Sequence, residues 1–171
     1  MAAEILDNVL VLKVNKKNRQ DVLKVLSDAA IEAGYAKPGY HQAILDREEK
    51  YPTGLHIPQI GVAIPHADAE WAIQPSVTIG ILEEPVAFQP MDGAGGDVQA
   101  GLVFMLTIEE PKNHIDFLRA FSSVMGQPEI LVEFAESGDA QPLLEKIRAH
   151  LPDKSKKQKE AHNNAQENFS E

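Results

Sequence analysis

The 171-residue chain carries 16 Lys and Arg against 26 Asp and Glu, a net charge of −10, with 43% apolar residues and no Cys. The acidic balance argues against a surface built to grip nucleic acid or an anionic membrane. The apolar content predicts a folded globular protein. The lack of Cys removes disulfide scaffolds, thiolate metal sites and cysteine nucleophiles.

The N-terminus, Met1-Ala-Ala-Glu-Ile-Leu-Asp7, has neither the basic nor the apolar region of a signal peptide. Asn15 is positioned to cap a helix whose apolar residues Val22, Val25, Leu26, Ala29 and Ala33 follow 3.6-residue spacing, with Gly34 as its stop. A second helix is expected after Pro38, carrying Ala43, Ile44, Arg47 and Glu48 and ending before Pro52. Gly61–Ile64 is a short apolar strand halted by Pro65. Ser76–Leu82 and Val98–Ile108 are rich in β-branched and apolar residues and read as strands buried on both faces, with a turn at Met91–Asp97 between them. A helix containing Ile115, Leu118, Phe121 and Met125 follows Pro111 and stops at Gly126. Pro128 opens another through Ala135, and Asp139 a last one through Leu151. This order predicts an α/β fold, a three-layer α/β/α sandwich on a mixed β-sheet, over residues 1–152. Residues 153–171 hold four Lys, four acidic residues and a single aromatic, Phe169, and are expected to form a disordered polar tail. The longest apolar run, Ala100–Ile108, falls well short of the roughly 20 residues of a membrane span. A cytoplasmic protein without membrane insertion is expected.

Of the six His residues, His41, His56, His150 and His162 occupy helix-surface, loop, helix-end and tail contexts, where solvated imidazoles are the ordinary outcome. His66 directly follows a strand and a Pro, which fixes the backbone so that the next side chain projects at the strand's C-terminal edge, where ligands of α/β sheets gather. It serves either structure or chemistry. His114 stands in the first turn of the helix after the longest strand, where free N–H groups favour phosphate, or else merely decorates that turn. Arg47 is either half of an i,i+4 ion pair on a solvated helix face or a phosphate clamp, since guanidinium matches phosphate oxygens bidentately.

Other constellations fail. Gly93-Ala-Gly-Gly96 lacks the Lys-Ser/Thr of a phosphate loop, and no Gly-x-Ser-x-Gly elbow exists. His66 and Asp68 offer two metal ligands without a His-Glu-x-x-His companion, so neither metal nor cofactor is expected.

Asp46-Arg-Glu-Glu-Lys-Tyr-Pro-Thr-Gly-Leu55, Gly61-Val-Ala-Ile-Pro-His66 and Asn113-His-Ile-Asp-Phe-Leu118 occur in this order. Together they resemble the fructose/mannitol-type enzyme IIA domain of the bacterial phosphoenolpyruvate-dependent sugar phosphotransferase system, over about residues 5–150, with the region around Val98–Leu106 most like the galactitol branch. The resemblance implies a phosphoryl carrier of a sugar or polyol uptake system. It makes His66 the phosphorylated residue, His114 a second active-site histidine and Arg47 the active-site arginine, with Thr53 and Asp68 in supporting roles. It also implies HPr as phosphoryl donor, a separate enzyme IIB as acceptor and a separate membrane component, enzyme IIC. A regulatory module of the nitrogen-regulatory enzyme IIA kind, binding target proteins according to phosphorylation state, is the alternative that the resemblance leaves.

Overall fold

A computed structural model describes residues 2–152; the expected tail, with His162, lies outside them. Five strands form one sheet: β1 (Val9–Val14), β2 (Gly54–Leu55), β3 (Gly61–Ala63), β4 (Ser76–Phe88) and β5 (Val98–Thr107). Their order across the sheet is β1-β4-β5-β3-β2. β1 runs parallel to β4 and β3 parallel to β5, while β4/β5 and β2/β3 are antiparallel, so the sheet is mixed as expected.

Period-two alternation divides the central strands between two cores. Leu102, Phe104 and Leu106 of β5 join Val77, Ile79 and Ile81 of β4 on one face. That face is covered by α1 (Ala2–Asp7), α4 (Ile115–Met125), α5 (Pro128–Ser137) and α6 (Gln141–Ala149). Val103 and Met105 face the opposite way, onto α2 (Arg19–Glu32) and α3 (Tyr40–Lys50). Each such fully buried side chain contributes about 1.5–3 kcal/mol of transfer free energy. The three layers follow directly from this two-sided burial.

Several expectations are corrected. Helix α2 is capped by Asn18, not Asn15: its Oδ1 accepts the Asp21 N–H at 2.9 Å, and its Nδ2 donates to the Asp21 carboxylate at 3.1 Å. Asp21 lies three residues after the cap, where a carboxylate both bonds back and meets the positive helix end. Gly34 does stop α2, at φ 83°, with Tyr35 N–H bonding Ala30 O and Gly34 N–H bonding Ile31 O.

Helix α1 and strands β1 and β2 are not among the expected elements. The expected strand from Ser76 ends at Leu82. The strand instead continues to Phe88 across a register shift between Ile81 and Val86. This irregularity leaves Glu83, Glu84 and Pro85 exposed and accommodates a proline that has no N–H to give the ladder. Helix α6 begins at Gln141, with Asp139 Oδ1 accepting the Gln141 N–H just ahead of it.

Candidate active site

Because β3 and β5 are parallel, their C-terminal ends lie side by side. Chain leaving β3 stays clipped to β5: Leu106 N–H donates to Pro65 O at 3.1 Å, and His66 bridges Leu106. His66 therefore projects at the sheet edge from which the β5-to-α4 connection departs. Two glycines permit this crowding. A Cβ on Gly61 would collide with the Gln99 carbonyl, and one on Gly54 would stand 2.5 Å from the Gln89 carbonyl.

Helix α3 supplies the neighbouring wall. Tyr40, Ile44 and Glu48 form its buried stripe, with Arg47 half-buried beside it. The Tyr40 hydroxyl lies 2.9 Å from Thr107 Oγ1, tying the start of α3 to the end of β5. Burial pushes the Tyr40 phenol up to about 12, against the Thr107 hydrogen bond.

Arg47 makes neither the i,i+4 pair nor a purely solvated face. Its Nη1 reaches Asp68 Oδ1 at 2.9 Å across the cleft, and its guanidinium carbon sits 5.3 Å from the centre of the Tyr51 ring. His66 Nδ1 lies 3.0 Å from the Ile64 carbonyl oxygen. A carbonyl only accepts, so Nδ1 carries the proton and Nε2 presents its lone pair. Burial lowers the His66 pKa from its ordinary value; the Ile64 bond opposes this, the Arg47 charge adds to it and Asp68 opposes it. The net result favours neutral imidazole, the nucleophilic form.

Arg47, His66 and Asp68 line one cleft of about 500 Å³ whose other walls are largely apolar: Leu55, Ile64, Met91, Leu106, Ile108, Leu118, Phe121 and Met125. This volume falls within the range of small-ligand sites. Thr53 is not in the lining but directly behind it, its hydroxyl accepting the Ile64 N–H at 3.0 Å. His114 closes the short 3-10 turn Pro111–His114 at the N-terminus of α4. Its side chain is only 3% exposed and is not part of the cleft lining, which this turn reaches through Pro111.

The remaining described histidines lie elsewhere. His56 Nε2 pairs with Gly96 O and His150 Nδ1 with Lys146 O, both at exposed positions. His41 is less solvated than expected: it is half-buried, with Nε2 shut off from solvent.

Glu48 was not among the expected site residues. It is 4% exposed, and its carboxylate receives the Thr53 N–H at 2.9 Å and the Thr53 hydroxyl at 2.8 Å. Its place four residues after Ile44 and eight after Tyr40 put it on the buried stripe, a signal present in the sequence. Among the described residues, no group of three or more His, Cys, Asp or Glu is arranged to hold a metal ion, and no helix is long and apolar enough to cross a membrane.

The chain has known relatives. Residues 4–150 match the family described as phosphoenolpyruvate-dependent sugar phosphotransferase system, EIIA 2. The chain belongs to this family. As an EIIA domain it is a phosphotransferase component, and the resemblance drawn from its motifs holds. It is 30% identical over 114 residues to the galactitol-specific EIIA component of Escherichia coli K12, covering 67% of this chain and 75% of that protein. It is 28% identical over 143 residues to the fructose-specific EIIABC component of Bacillus subtilis, covering 81% of this chain and 21% of that larger protein. Among solved structures, enzyme IIA in the complex of Escherichia coli IIAMtl with phosphorylated IIBMtl superposes with a TM-score of 0.64 at 21% identity, covering 84% of this chain and 95% of that one. Nitrogen regulatory protein IIA-Ntr of Neisseria meningitidis superposes at 0.65 and 21% identity, covering 83% and 94%. At these identities the structures establish the shared fold.

Proposed function

We propose that the protein is a phosphoryl carrier that accepts phosphate on His66 Nε2 and passes it to a protein partner. The observation that carries this reading is the 3.0 Å approach of His66 Nδ1 to the Ile64 carbonyl, which assigns the ring proton to Nδ1 and leaves Nε2 as the nucleophile beside Arg47. The Nε2 lone pair attacks phosphorus, a P–N bond forms, and the bond to the donor histidine of HPr breaks, returning an electron pair to that ring. His66 keeps its proton on Nδ1, so the phosphorylated ring bears positive charge, and the P–N bond stays labile for onward transfer to enzyme IIB. Histidine acts here as covalent nucleophile, splitting one transfer into two.

Phosphoryl transfer passes through a loose transition state, so positioning and stabilisation of the equatorial oxygens carry the catalysis. Arg47 supplies this stabilisation when its guanidinium turns from Asp68 to the phosphate. Asp68 holds the guanidinium in place until then, and Thr53 fixes the backbone before Pro65. His114, which the family resemblance casts as a hydrogen-bond donor to the phosphate, lies buried at the N-terminal turn of α4. The galactitol-specific relative supports a role in polyol uptake. A second reading, a regulatory module, draws support from a Bacillus subtilis transcriptional regulator, ManR, 30% identical over 98 residues.

Intact-mass spectrometry after incubation with phosphoenolpyruvate, enzyme I and HPr tests the main reading. One added phosphate is expected, lost in acid and absent from His66→Ala. Unchanged phosphate uptake by His66→Ala would defeat it, while stable uptake with no onward transfer to any enzyme IIB would favour the regulatory reading.

A further inference from the structure

Behind the cleft, four groups form one continuous hydrogen-bonded line. The Glu48 carboxylate accepts from the Thr53 N–H and hydroxyl, Thr53 Oγ1 accepts the Ile64 N–H at 3.0 Å, and the Ile64 carbonyl accepts His66 Nδ1–H at 3.0 Å. Glu48 is no part of the cleft lining and touches no reacting atom. It sits on the buried stripe of α3, where an apolar side chain would pack without the desolvation cost of a carboxylate. That cost is met by bonds directed at a single residue, Thr53, both of whose donors point at Glu48.

We propose that Glu48 is a positioning residue for His66, acting through the Thr53 hydroxyl and residue 64 to keep the imidazole proton on Nδ1 and the Nε2 lone pair facing the cleft. The proposal deepens the carrier reading and rests on His66 being the phosphate acceptor. Its physical basis is the polarity of the line. An ionised carboxylate accepts only, so the Thr53 hydroxyl hydrogen must turn toward Glu48. The lone pairs of Oγ1 are then left for the Ile64 N–H. Residue 64 is thereby held with its carbonyl aimed at Nδ1, and the partner of one ring nitrogen decides which nitrogen is free. Aligned donors and acceptors of this kind reinforce one another in a low-dielectric interior. Burial pushes the Glu48 carboxyl up from its ordinary range, opposed by the two Thr53 bonds and the Arg19 charge.

The test is long-range 1H–15N NMR of the His66 ring in the unphosphorylated, full-length protein. Wild type should show the proton on Nδ1. Thr53→Val removes the hydroxyl and should move a measurable share of the proton to Nε2, and Thr53→Ser should restore the wild-type signature. Glu48→Gln keeps the size but puts an amide donor where one of the two carboxylate oxygens now accepts from Thr53, and should act in the same direction as Thr53→Val. Both altered proteins should accept phosphate from phosphoramidate about tenfold more slowly, the effect of one net hydrogen bond of about 1.4 kcal/mol. An unchanged ring signature in folded Thr53→Val and Glu48→Gln would overturn the proposal. Unfolding of both would also overturn it, by showing a role in stability alone. The ring signature is read without phosphate, so it succeeds or fails independently of whether His66 proves to be the acceptor.

Discussion

The two sides of the cleft are built by different physics. On the α3 side, hydrogen bonds and an ion pair dominate: Glu48 to Thr53, Thr53 to Ile64, Ile64 to His66, and Arg47 to Asp68. On the α4 side, aromatic packing dominates. Phe104 meets Phe121 edge-on at 5.3 Å, and Phe121 stacks on Phe117 at 5.8 Å. Directional bonds fix where an imidazole points. Apolar packing is nondirectional and fixes only where a wall stands. The chemistry-bearing residues cluster on the first side, and the second supplies the enclosing surface and much of the stability.

Substitutions should separate the two sides. Phe104→Ala removes a ring buried between β5 and the α4–α5 layer, and should cost about 3–5 kcal/mol of stability by urea denaturation. Arg47→Ala strikes the other side and should leave stability nearly unchanged, because its partner Asp68 is largely exposed and such pairs contribute about 0–1 kcal/mol. Its cost should fall on phosphate acceptance, slowed about 10²–10³-fold as when one transition-state donor is lost. If the two variants showed the same profile, the division between the sides would collapse. Asn18→Ala, away from both, should lose about 1 kcal/mol through its helix cap, with acceptance unaltered.

The smallest effect concerns pH. The His66 pKa lies below its ordinary 6.5, so neutral imidazole persists on acidification through that value. The midpoint of the loss of phosphate acceptance from phosphoramidate on acidification should accordingly lie below pH 6.5. In Arg47→Ala, where one of the influences lowering the pKa is gone, the decline should begin at higher pH. A decline already centred above pH 6.5 in the wild type would contradict this.

Much of the site was legible in the sequence because chemistry-bearing residues are rare and punctuated. Pro65-His66 after an apolar strand placed a candidate nucleophile at a sheet edge, and Gly54 and Gly61 mark points where backbones approach too closely for a Cβ. Glu48 was hidden by its neighbours, since Arg47-Glu-Glu49 reads as a solvated charge run until the Tyr40 and Ile44 periodicity is extended to it. In the fold, the two-sided strands β4 and β5 declared themselves by composition. The edge strand β1 did not, although Asn8 and Asn15 bracket its run of Val and Leu, because Asn15 suits a helix cap as well as Asn18 does. The two-residue β2 is too short for any periodicity, and its pairing with β3 is a tertiary outcome. The burial of His114 is likewise set by how α4 packs, which local sequence does not encode.

The Arg47–Asp68 pair carries a consequence for selectivity. Asp68 is tethered to the site, so it contests the guanidinium at the effective concentration of an intramolecular ligand, in the millimolar range for short flexible links. A free anion must outcompete that resident carboxylate by mass action. In the proposed carrier, a phosphoryl group brought in on a docked protein is itself delivered at high local concentration. There, this exposed aspartate would discount dilute anions relative to cargo attached to a docked protein.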